Sequence, residues 1–195
     1  MEPAHSGSHE DHMEMNRRHF CKITNLALLG GLMGLGKSAS AMVSPAMDHS
    51  RFLSLYSVQT GEKVEQAFWS GGNFLPDGLT RINHLLRDSR TNEVKAIDPE
   101  LLQMLFDLAR KLDVPPKYHV ISGYRSPATN SRLRKKSNNV AKKSFHLQGK
   151  AVDIRMPGVV LKDLHAAALD LKHGGVGFYP GPDFIHLDVG PTRTW

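Results

Sequence analysis

Ser144-Phe145-His146-Leu147-Gln148-Gly149-Lys150-Ala151-Val152-Asp153, and later Asp183-Phe184-Ile185-His186-Leu187-Asp188, are the stretches on which the reading of this chain turns. In the first, Gly149–Arg155 reads as a strand in which Ala151 and Asp153 share one face and Val152 and Ile154 the other. Burying Val152 and Ile154 aims Asp153 at a cleft, and a turn at Gln148-Gly149 folds His146 back beside it. In the second, Ile185, Leu187 and Val189 form an apolar face, with Phe184, His186 and Asp188 opposite. Two strands that each present a polar side chain beside the core can converge on one metal ion. Imidazole and carboxylate suit a catalytic zinc, which takes three protein ligands and keeps one position for water. Spacing alone does not single out a metal site, because an isolated histidine or strand aspartate more often serves a hydrogen bond or an ion pair.

Working outward, Arg51–Val58 predicts a strand, Gln59-Thr60-Gly61-Glu62 a turn and Lys63–Trp69 its returning partner. Leu79, Ile82, Leu85 and Leu86 recur at helical spacing over Pro76–Asp88. Asp98-Pro99-Glu100 opens a second helix, with an N-cap followed by proline at the first helical position. Its stripe of Leu101, Leu102, Leu105, Leu108 and Leu112 is core. A strand at Tyr118–Ser122 and a helix at Ala128–Lys136 follow; a helix at Leu161–Leu171 and strands at Gly175–Tyr179 and Phe184–Val189 close the chain. Helices and strands mix without regular βαβ alternation. This predicts a single α+β domain, a mostly antiparallel central sheet flanked by helices.

The first forty residues have a different character. Asn16-Arg17-Arg18-His19-Phe20 precedes an apolar, glycine-rich run over Ile23–Leu35, and Lys37-Ser38-Ala39-Ser40-Ala41 offers a small–x–small exit. That is the pattern of a secretory leader spanning residues 1–41, with Met13 or Met15 as alternative starts and residues 42–195 as the mature domain. The paired arginines resemble the twin-arginine export signal. An uncleaved anchor is the competing reading. The apolar run is short for a membrane span, so no stable anchor is expected after cleavage. The single cysteine, Cys21, excludes an intramolecular disulfide.

Apolar residues make up 40% of the chain and charged residues 23%, the balance of a globular protein rather than a disordered one. The net charge of +6 is concentrated in Arg132, Arg134, Lys135, Lys136, Lys142 and Lys143. No aromatic residues interleave with that cluster and no nucleic-acid-binding motif accompanies it, so nucleic acid is not an expected partner. An acidic wall polymer is compatible with the charge.

Ser144-x-His146-x-x-Gly149-x-Ala151-x-Asp153 with the late His186 resembles the zinc motif of the M15 peptidases. Further segments, among them Ile97-Asp98-Pro99, Ile121–Pro127, Gly174–Tyr179 and Gly190-Pro191-x-Arg193-x-Trp195, are similar to the DUF882 branch of that group. The resemblance implies the fold of the LAS metallopeptidases (Hedgehog/D-Ala-D-Ala peptidase type), a Zn2+ cofactor, and His146, Asp153 and His186 as its ligands. It implies a periplasmic, cell-wall-associated murein endopeptidase acting on peptidoglycan stem peptides and exported by the twin-arginine machinery. Arg125, in Ser122-Gly123-Tyr124-Arg125-Ser126, matches the arginine that polarises the substrate carbonyl. A Glu three residues before the last zinc-binding His is the general base in related peptidases; here that position is Asp183. Simple alternation puts Asp183 on the Ile185 face, so it can serve only if the strand begins with a bend. Asp188, on the His186 face, is the substitute, or else an outer acceptor that orients a zinc-bound imidazole. The reading favours Asp183 and leaves both open. A D,D- or L,D-carboxypeptidase and a non-catalytic cell-wall-binding zinc module are the rival functions.

Overall fold

The computed structural model describes residues 50–137 and 140–195. The leader expected over residues 1–41 lies outside them. One eight-stranded sheet organises these residues: β1 (Arg51–Ser57), β2 (Lys63–Ser70), β3 (Asn73–Phe74), β4 (Lys117–Ser122), β5 (Ala151–Arg155), β6 (Gly175–Tyr179), β7 (Phe184–Asp188) and β8 (Arg193–Thr194). Their order across the sheet is β3-β2-β1-β4-β5-β7-β6-β8. The sheet is mixed. β1 runs parallel to β4 and β6 parallel to β8, and the remaining neighbours are antiparallel.

Four helices accompany it: α1 (Pro76–Leu85), α2 (Pro99–Lys111), α3 (Pro127–Lys136) and α4 (Leu161–Leu171). None among the described residues is long and apolar enough to cross a membrane. Four leucines of the stripe, Leu101, Leu102, Leu105 and Leu108, are fully buried in one cluster with Leu53 and Leu55 of β1, Val152 and Ile154 of β5, and Ile185 and Leu187 of β7, while Leu112, at the end of α2, is partly buried against it. Ile82 of α1 and Leu164 of α4 complete it. The core therefore occupies one face of the sheet, the one that α1, α2 and α4 cover.

The start of α2 agrees with its sequence signal, and α3 begins at Pro127, one residue before the expected Ala128. The Asp98 side chain accepts a hydrogen bond from the Glu100 amide at 3.0 Å ahead of Pro99. Ser126 accepts from the Thr129 amide at 3.2 Å ahead of Pro127. Such caps contribute about 1 kcal/mol each. Helix α1 stops at Leu85, not at Asp88 as its apolar spacing predicts, because Asp88 serves another purpose. It is 2% exposed and accepts hydrogen bonds from the Arg90 and Ser126 amides at 2.9 and 2.7 Å. Burial would raise its pKa, but donation from the Ser126 and Arg90 amides outweighs that and holds it down at about 2. Asp88 thus ties the loop after α1 to the loop that carries Arg125.

Two elements escaped the sequence reading. β3 and β8 are only two residues long and carry no readable alternation. β8 nevertheless closes the sheet edge beside the functional site.

Candidate metal centre

Three different elements deliver the candidate ligands. His146 sits on a short 3-10 turn, Phe145–Gln148, where the Ser144 hydroxyl accepts from the His146 amide at 3.3 Å. The turn ends at Gly149 with φ +70, where a Cβ would lie 2.3 Å from the Ala96 carbonyl oxygen, so glycine is required both by conformation and by space. Asp153 is in the middle of β5 and stands directly opposite His186 of β7 in the antiparallel register. Both side chains project from the sheet face away from the core, as the alternation of Val152, Ile154, Ile185 and Leu187 requires.

The geometry is close. His146 Nε2 lies 3.2 Å from Asp153 Oδ1 and 3.2 Å from His186 Nδ1, while His186 Nδ1 lies 2.9 Å from Asp153 Oδ1. All three residues are buried, at 1%, 3% and 9% exposure. A tetrahedral zinc with ligand distances of about 2.0–2.1 Å has ligand–ligand edges of about 3.3 Å. The triangle matches one face of that tetrahedron to within a few tenths of an ångström.

Proton placement argues the same way. His146 Nδ1 is 2.7 Å from the Gly123 carbonyl oxygen, which can only accept, so the proton sits on Nδ1 and the Nε2 lone pair faces the triangle. His186 Nε2 lies 2.9 Å from Asp188 Oδ2 and donates to that carboxylate, which turns the Nδ1 lone pair inward as well. Burial holds His146 below the usual histidine range. For His186, burial works against protonation, but hydrogen bonds to Asp153 and Asp188 outweigh it and raise its pKa. Burial would likewise raise Asp153, yet His146, His186 and Arg125 together hold it well below the usual carboxylate range. Two imidazole lone pairs and an ionised carboxylate thus meet at one point. A cation belongs there: a proton shared with His186, or a divalent metal that displaces it. The donor set fits zinc.

The surrounding residues hold this arrangement. Arg125 Nη2 contacts Asp153 Oδ2 at 2.5 Å and its Nε donates to Ser122 Oγ at 2.9 Å, while its backbone N–H donates to the His146 carbonyl. One carboxylate oxygen of Asp153 therefore faces the histidines and the other the guanidinium. Asp188 is wholly buried and fully engaged: besides His186, it accepts from Arg193 Nη2 at 2.6 Å and Nη1 at 3.0 Å, and from the Gly190 amide at 2.9 Å. Burial opposes ionisation of Asp188, but these partners keep its pKa well below the usual range.

Asp183 takes a different place. It has φ +57, the bend that its use on this face requires. Its Oδ2 is 3.2 Å from Arg155 Nη1, and Arg155 stands two residues beyond Asp153 on the same face. Its side chain is 60% exposed and has no hydrogen bond to the three clustered residues among those described.

The reading of the sequence did not assign site roles to Arg193, Trp195, Tyr179 or Phe184, yet all four line the cavity of about 620 Å3 over the cluster. Trp195 packs with its ring centroid 5.2 Å from that of His186, tilted by 50°, and donates from Nε1 to the Tyr179 hydroxyl at 2.7 Å. Its indole occupies the space that any side chain at Gly177 would need, with a Cβ there only 2.7 Å away. Tyr179 and Phe184 stack at 4.7 Å. Position-two alternation from His186 to Phe184 was the available signal for one of them; the others depend on β6 and β8 lying alongside.

Known proteins share this chain's sequence over nearly its full length. It is 37% identical over 185 residues to the peptidoglycan L,D-endopeptidase MepK of Escherichia coli (strain K12), covering 95% of this chain and 100% of that protein. It is 39% identical over 186 residues to the probable peptidoglycan L,D-endopeptidase MepK of Haemophilus influenzae, covering 95% of this chain and 98% of that one. Residues 44–195, which contain the buried His146–Asp153–His186 triangle and everything that braces it, match the model of the M15 peptidase family described as peptidoglycan L,D-endopeptidase MepK, and the chain belongs to that family.

Proposed function

We propose that this chain is a zinc-dependent peptidoglycan endopeptidase that hydrolyses amide bonds in the cross-links between stem peptides, with His146, Asp153 and His186 as the zinc ligands. The observation that carries the reading is the triangle of ligand atoms 2.9–3.2 Å apart, with both histidine tautomers turned inward. The relatives' printed activity, peptidoglycan L,D-endopeptidase, supports an L,D cross-link as the bond cleaved.

When bound there, zinc supplies an activated water and a Lewis acid beside the scissile carbonyl. Arg125 holds the outer oxygen of Asp153 and lines the cavity, so its guanidinium is placed to stabilise negative charge on a carbonyl oxygen entering from that side. Asp188 keeps the proton of His186 on Nε2 and the ring in orientation. Since both Asp188 oxygens are engaged, we assign proton acceptance to Asp183, whose partner Arg155 is a solvent-exposed ion pair that opens at little cost. The fold is read as the LAS metallopeptidase type. Residues 1–41 are a twin-arginine-type leader and 42–195 the zinc peptidase domain, which acts in the periplasm.

Metal analysis combined with a muropeptide digest tests this. The expected result is about one zinc per chain and selective loss of cross-linked dimers, with Asp183→Asn retaining zinc and losing most turnover. Trimming of uncross-linked monomers alone would favour the carboxypeptidase reading. Zinc bound with no product from any muropeptide would leave only a wall-binding module.

A further inference from the structure

The sheet face that carries the metal-binding triangle continues well past it. Register places Arg155 of β5 opposite His119 of β4, His119 opposite Tyr56 of β1, and Tyr56 opposite Lys63 of β2. Arg155 shares its face with Asp153, so this row of four side chains runs across four strands on the same face as the triangle. The row is packed as well as aligned. Lys63 Nζ lies 5.5 Å above the Tyr56 ring, and Tyr56 meets His119 edge-to-face at 5.1 Å.

At its far end, Ser54, Tyr56, Lys63, Lys117 and His119 line a separate cavity of about 590 Å3. Lys63 and Lys117 are exposed, and neither forms an ion pair among the described residues. Glu65, also on the lining, is paired with neither. Burial lowers the pKa of His119, and the charges of Arg155 and Lys63 push it down further, the mark of positive potential at this point. An aromatic floor, hydroxyl groups and two unpaired ammonium groups suit a carboxylate carried on a peptide.

Distance makes this useful. Neighbouring strands are about 4.8 Å apart, so the three steps from β5 to β2 cover about 14 Å, and the two residues from Asp153 to Arg155 add about 7 Å along the strand; the diagonal of about 16 Å is one that about five extended residues span. We infer that the Lys63–Lys117–His119 cavity anchors a carboxylate of the stem-peptide strand about five residues from the bond held at the metal centre. The anchor rests on the endopeptidase reading for the identity of its ligand, but not for its geometry.

Lys63→Ala/Lys117→Ala tests it in the full-length zinc-loaded protein. KM for cross-linked dimers should rise about tenfold, the loss of one charge-assisted contact, with kcat within about twofold and zinc content unchanged. Lys63→Arg/Lys117→Arg should restore KM. Binding of an uncleaved stem tetrapeptide, followed calorimetrically, should weaken by a similar factor in the alanine variant. Amidating the peptide carboxylates should weaken binding to the unsubstituted protein and add nothing in the variant. Equal affinity of both proteins for free and amidated peptide overturns the anchor whether or not any dimer is cleaved. Absence of cleavage with the binding difference intact overturns the endopeptidase reading and leaves the anchor standing.

Discussion

The strands β5 and β7 bury both of their faces, but with opposite chemistry. Toward α2 and α4 they present Val152, Ile154, Ile185 and Leu187, none more than 1% exposed. Toward the cavity they present Asp153, His186 and Asp188, none more than 9% exposed. The apolar face is stabilised by removal from water alone, at about 25 cal/mol per Å2. The polar face is tolerable only because each atom has a specific partner: Gly123 for His146, Arg193 for Asp188, Arg125 for Asp153. Hence the first face is tolerant in detail and costly in volume, and the second is the reverse.

Substitutions on the two faces should therefore separate stability from metal affinity. The largest effect is expected from His146→Ala, which removes a ligand from the triangle. Zinc affinity should fall by more than the about 10–100-fold typical of losing an outer partner, and the thermal stabilisation by added zinc should disappear. Retention of full zinc affinity would break the comparison at its centre. In the core that covers the opposite face, Leu105→Ala of α2 should cost about 2–5 kcal/mol in denaturant unfolding, while zinc stoichiometry of the folded protein stays the same.

Asp88 sharpens the contrast away from the metal. Its folded pKa of about 2 lies below the ordinary carboxyl value of 3.8, so its contribution is fully present above the unfolded value and is lost as pH falls through about 2. That difference corresponds to about 2 kcal/mol. Asp88→Asn should remove it and flatten the acid limb of unfolding free energy against pH; an unchanged limb would show that the loop contacts carry no linkage. The smallest effect is expected at the sheet edge. Arg193→Ala leaves Asp188 with fewer donors and the His186 ring less firmly held, and zinc affinity should drop about tenfold with little change in unfolding midpoint. Competition with a metal-binding dye reads that directly.

The α2 stripe, the cap at Asp98 and the alternation in β5 and β7 were legible in the sequence because each is set by residues within a turn or two of one another. Alternation likewise told which side of its own strand Asp153 or His186 occupies. The end of α1 was misjudged because Asp88 is held by the Ser126 amide, 38 residues away. β8 was missed because two residues carry no period, and only its pairing beside β6 brings Arg193 to Asp188 and Trp195 over His186.

What the sequence by itself determined, then, is the longer elements, their buried faces and the residue types able to hold a metal. The tertiary structure decided which strands are neighbours: the register of Asp153 opposite His186, the 3-10 turn that swings His146 between them, and the row that runs from Arg155 to Lys63. The physical reason is that periodicity is a property of one segment against water, whereas strand order is chosen by closing one core over the whole sheet. His146 and His186 are 40 residues apart, and only that closure makes them a site.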